Sequence, residues 1–76
     1  MNPKIEKRVG QNIRALRVKA GITQEILAAK LQIAGCDITR SAVAKIEAGQ
    51  RHVYMDEIIQ LKTILNASYE EIFSQE

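Results

Sequence analysis

Apolar residues recur at helical spacing along most of the chain, and the runs are cut at even intervals by Gly21, Gly35 and Gly49. This punctuation limits the chain to short helices that must bury their apolar faces against one another. Behind Pro3, which a first turn tolerates, Val9, Ile13, Leu16 and Ala20 follow at spacings of four, three and four. Gly21 stops that helix. Thr23 can cap a second helix with Gln24 and Glu25 in its first turn and Ile26, Leu27, Ala28, Leu31 and Ala34 as its apolar faces, closed by Gly35. Cys36, Asp37 and Ile38 connect to Thr39, the cap of a third helix ending at Ala48 before Gly49.

A polar link over residues 50–53 precedes a fourth helical pattern, Ile58, Leu61, Ile64 and Leu65, which closes near Asn66. Ser68 opens a last short helix. Glu71, three residues on, completes a capping box, and Ile72 and Phe73 are expected to return to the core. Nothing alternates with period two over enough residues for a strand. The expectation is an all-α chain of five helices forming one domain over residues 1–76.

Charge is distributed unevenly. Residues 1–20 carry Lys4, Lys7, Arg8, Arg14, Arg17 and Lys19 against Glu6 alone, whereas residues 54–76 carry Lys62 against Asp56, Glu57, Glu70, Glu71 and Glu76. One end therefore suits a polyanion and the other does not. No apolar run approaches the roughly 18 residues of a membrane span, and no signal-peptide core is present, so a cytoplasmic protein is expected. Cys36 is the single cysteine and His52 the single histidine. Together they fall short of the about four ligands of a structural zinc site, so neither a metal nor a cofactor is expected.

On a helical wheel, residues 39–48 turn Ala42, Val43 and Ile46 to one side and Ser41, Ala44, Lys45 and Ala48 to the other. Small residues between Arg40 and Lys45 permit close approach to a base edge while two long cations reach out. A merely solvated helix face is equally consistent with the wheel.

Two segments specify a family. Residues 10–17, Gly-Gln-Asn-Ile-Arg-Ala-Leu-Arg, with residues 21–28, Gly-Ile-Thr-Gln-Glu-Ile-Leu-Ala, resemble the first helix and the start of the second in the Cro/C1-type, or XRE-type, helix-turn-helix proteins of the lambda-repressor-like fold. Residues 39–51, Thr-Arg-Ser-Ala-Val-Ala-Lys-Ile-Glu-Ala-Gly-Gln-Arg, are similar to the family's recognition helix and the glycine turn behind it. The fourth-helix pattern and residues 68–73 complete a less specific third match. One departure stands out: about five extra residues lie between Leu31 and Thr39, and about four of them would add one turn to the second helix. The fold implied is a compact lambda-repressor-like domain with an extended connector inside its helix-turn-helix.

The resemblance implies sequence-specific binding of double-stranded DNA by a small transcriptional repressor, with the helix over residues 39–48 in the major groove. It implies base readout by Arg40, Ser41, Ala44 and Lys45 beside the cap Thr39, and a phosphate contact from Gln24 where the helix dipole assists. Gln50, Arg51 and His52 resemble the backbone-contacting loop, and helix-1 cations such as Lys7, Arg8 and Arg14 supply steering. Arg17 and Glu47 match a pair that ties the first helix to the recognition helix, a structural role. Family operators consist of two half-sites, so a homodimer is expected, joined through the fifth helix and the end of the fourth.

Other classes leave weaker marks. Glu70 with Glu71, and Asp56 with Glu57, are neighbours in sequence and point about 100° apart on a helix, so neither is a catalytic carboxylate pair, and an enzyme is not expected. A protein-interaction module, such as an antitoxin or anti-repressor component, would use the acidic C-terminal third with Ile72 and Phe73.

Overall fold

The computed structural model describes residues 2–76, and among them five helices and no strand occur: α1 (Pro3–Lys19), α2 (Gln24–Ile33), α3 (Arg40–Glu47), α4 (Met55–Ile64) and α5 (Tyr69–Phe73). Each start is set by local chemistry. The Asn2 side chain accepts the Lys4 N–H at 3.0 Å, Thr23 Oγ1 the Ile26 N–H at 3.1 Å, and Thr39 Oγ1 the Ala42 N–H at 3.1 Å. Ser68 and Glu71 exchange bonds of 2.9 and 3.0 Å as a capping box. At Tyr54, which has no capping oxygen in range, Glu57 reaches back to the Tyr54 N–H at 3.0 Å.

The α3 terminus shows how a helix is stopped. Gly49 takes a φ of +74°, its N–H bonds to Ile46 O, and the Gln50 N–H bonds to Lys45 O at 2.8 Å, which satisfies carbonyls the helix leaves open.

The core is one cluster drawn from every helix, with Ile13, Leu27, Leu31, Ile38, Val43, Leu61 and Ile72 almost wholly enclosed. Helix α1 packs on α3 and α5, and α2 packs on α3 and α4. The connector before α3 is built into this core. Cys36 and Ile38 are 4% and 1% exposed, and Gln32 Nε2 donates to Ile38 O at 2.7 Å. Burial, with the nearby charges of Asp56 and Glu57, pushes the Cys36 thiol up. Among the described residues no helix is long and apolar enough to cross a membrane.

Three apolar expectations are corrected. Phe73 is 46% exposed, not in the core, because a five-residue helix has one inward position and Ile72 occupies it. Asn12 Nδ2 holds this end of the chain by donating to Ile72 O at 3.0 Å and Ser74 O at 2.8 Å. Ile26 on α2 and Ala34, the residue that caps its end, also face outward, since Leu27, Ala28 and Leu31 fill the face that α3 and α4 cover.

Candidate nucleic-acid interface

Helix α3 is fixed in rotation by its back. Val43 and Ile46 are buried in the core, and Glu47 beside them is only 6% exposed. The opposite face therefore carries Arg40, Ser41, Lys45 and Ala48, all exposed, with Ala44 half-buried between them. Neither Arg40 nor Lys45 joins an ion pair among the described residues. Two unpaired cations thus flank a strip of small side chains on a rigid helix.

Glu47 anchors a network below this face. Its Oε2 accepts from Arg17 Nε at 2.6 Å, and its Oε1 accepts from Arg17 Nη2 and from Gln24 Nε2, both at 3.0 Å. The Arg17 Nη1 donates to Ile22 O at 2.9 Å. Side-chain exposures of 11% for Arg17 and 3% for Glu47 make this a buried, two-bond pair. The hydrogen bonds to Glu47 raise the Arg17 pKa against the opposing effect of burial. The resemblance implies a phosphate contact for Gln24, and its bond to Glu47 is a partner that the sequence did not indicate. One amide hydrogen goes to Glu47, and the second remains for another acceptor. The first turn of α2 and the start of α3 meet here, since Thr23, Gln24, Glu25 and Arg40 line one shallow cleft.

Behind Gly49 the loop carries exposed Gln50 and His52. His52 Nδ1 lies 3.4 Å from both carboxylate oxygens of Glu6. Arg51, expected as a backbone contact, turns inward instead. Its Nη1 and Nη2 donate to Glu57 Oε1 and Oε2 at 2.9 and 3.0 Å, Nη1 also donates to His52 O at 2.7 Å, and the guanidinium lies 5.2 Å from the Tyr54 ring centroid. The physical reason is Glu57, whose side chain is 6% exposed and needs a counterion. Glu57 was not singled out from sequence, although its place three residues after Tyr54, at the start of α4, is the signal of a helix-start carboxylate.

Burial pushes the Glu57 carboxyl up, but the bonds from Arg51 and the Tyr54 N–H, with the Arg51 charge, outweigh it and leave the pKa below the ordinary value. A carboxylate with a depressed folded pKa contributes stability that is complete above its unfolded pKa, about 4.3, and is lost as pH falls through the folded value. The melting temperature is therefore expected to fall on acidification below about pH 4.3. Glu57→Gln should be less stable at neutral pH and show a shallower acid limb in calorimetric scans; parallel acid limbs would remove Glu57 from this account.

Two glycines set the distance between α1 and this interface. A Cβ on Gly10 would fall on the Ile46 carbonyl oxygen and 3.0 Å from Glu47 O. A Cβ on Gly49 would stand 2.7 Å from Lys7 Cα. Helix α1 thus lies in backbone contact across the C-terminal turn of α3. Among the described residues no three His, Cys, Asp or Glu side chains gather as metal ligands.

The helix-turn-helix family model matches residues 13–72. The chain is similar to the restriction-modification controller protein C.AhdI from Aeromonas hydrophila, known from a high-resolution crystal structure. The two share 37% identity with a TM-score of 0.74, covering 88% of this chain and 90% of that one. No curated protein matches. The fold and the family match together place this chain in the Cro/C1-type helix-turn-helix family of DNA-binding transcriptional regulators.

Proposed function

We propose that the chain is a cytoplasmic repressor that binds its operator as a homodimer and reads the major groove with the outer face of α3. The observation that carries this is the unpaired Arg40 and Lys45 on either side of Ser41 and Ala44, on a helix whose rotation the core fixes. Arg40 or Lys45 donates to a guanine, and Ala44 meets a thymine methyl. Thr39 presents the helix N-terminus. Gln24 offers its second amide hydrogen to a phosphate, and Gln50 and His52 approach the backbone from the loop that Arg51 holds in shape. The likeness to a restriction-modification controller protein supports control of restriction-modification genes as the setting.

Ile5, Met55, Ile59, Tyr69 and Phe73 form an exposed apolar face shared by α1, α4 and α5, and a second copy of the chain is its proposed occupant. The same face favours one other reading, a module whose main partner is a different protein.

Operator selection from random duplexes tests the proposal. Arg40→Ala or Lys45→Ala should cost about 1–3 kcal/mol at one base position and relax the preference there. An unchanged preferred sequence in both variants rejects α3 as the reader. Failure of the wild type to select any duplex, with capture of an unrelated protein that Phe73→Glu abolishes, would favour the interaction module.

A further inference from the structure

We infer that Lys7 of α1, rather than Arg51 of the loop, is the cation that meets the DNA backbone beside the turn after α3. The inference rests on the reading of α3 as the major-groove helix and names a contact of that same interface. Near this turn the loop supplies one arginine, and Glu57 consumes it through two hydrogen bonds. Lys7 occupies the adjoining position by backbone packing. A Cβ on Gly49 would stand 2.7 Å from Lys7 Cα, 3.0 Å from its Cβ and 3.2 Å from its N, so the lysine stem starts against the residue that ends the α3 turn.

One turn further along α1, Gly10 lies against the Ile46 and Glu47 carbonyls, so two successive contacts hold α1 at this angle. The Lys7 side chain is exposed and joins no ion pair among the described residues. The carboxylates at this corner have other partners: Glu6 faces His52, Glu47 takes Arg17 and Gln24, and Glu57 takes Arg51. A flexible ammonium released from a fixed point suits a phosphate, which asks for a point charge rather than a shaped fork.

Salt dependence separates this contact from base readout, because each neutralised phosphate contributes about 0.9 to the fall of log K with log salt. Lys7→Ala should lower that slope by about 0.9, weaken all duplexes alike, and leave the selected sequence and the melting temperature unchanged. Lys7→Arg should keep the slope. Lys62→Ala, at the acidic end of the chain, should do nothing to it. Arg51→Ala should lower the melting temperature while the slope stays near wild type. A wild-type slope in Lys7→Ala overturns the proposal, and a loss confined to Arg51→Ala assigns the contact to the loop. Absence of salt-dependent duplex binding by the wild type removes the DNA reading itself and the lysine contact with it, and this shows before any variant is compared.

Discussion

Glu47→Ala is expected to destabilise the fold by about 3–5 kcal/mol, the cost of removing one member of a buried ion pair. The carboxylate accepts three hydrogen bonds, two from Arg17 and one from Gln24. Without it the guanidinium keeps only the Ile22 carbonyl while 11% exposed. For a domain of this size each 1 kcal/mol moves the melting temperature by about 4–8 °C, so a drop of about 12 °C or more is the result to look for in a circular-dichroism melt. Arg17→Ala should cost a comparable amount, since it leaves an anion buried.

An apolar pair of similar volume, Arg17→Met with Glu47→Leu, should recover most of the loss because it strands no charge. Exchanging the two charges should recover only part. A glutamate at position 17 would face the Ile22 carbonyl, and the bond from Gln24 would have to be remade with the amide reversed. If Glu47→Ala left the melting temperature alone and tightened DNA binding, the residue would belong to the DNA-facing surface and the packing of α3 described here would be incorrect.

The second large effect runs against intuition from helix propensity. Gly10 lies inside α1, where alanine is favoured over glycine by about 1 kcal/mol. Gly10→Ala is nevertheless expected to destabilise by about 1–3 kcal/mol net, because the added methyl would fall on a backbone carbonyl that no rotamer change can move. Helix α1 would have to lift from the C-terminal turn of α3. That shift also separates Arg17 from Glu47 and Lys7 from Gly49, so DNA affinity should fall together with the melting temperature. A rise in melting temperature would show that α1 and α3 are not in backbone contact.

Much of the candidate interface was legible in the chain because it depends on neighbours a few residues apart. Thr39 caps α3, Gly49 ends it, and the spacing of Val43 and Ile46 sets its rotation, so the outward turn of Ser41, Lys45 and Ala48 follows from helix geometry, while the family pattern supplied the base-reading set. The Arg17 and Glu47 pairing was legible through the family pattern, which carries long-range information that spacing lacks. The connector before α3 was visible as extra length, yet its packing was not. Cys36 and Ile38 are buried in the shared core cluster, and nothing local marks that.

Apart from the Arg17–Glu47 pair, the tertiary structure decided which partner a charged or amide side chain takes. Arg51 and Gln24 each sit where the family pattern points to DNA, but each meets a buried carboxylate first, Glu57 in one case and Glu47 in the other. The physical reason is that a buried carboxylate must be compensated, and it draws on whichever donor the packing brings within reach. Phe73 illustrates the same limit among apolar residues. Its hydrophobicity is local information, whereas its exposure follows from α5 being one turn long and already seated through Ile72 and the Asn12 amide. Helix boundaries and faces were thus written in short-range chemistry, while the pairing of charges and the covering of faces depended on which helices meet.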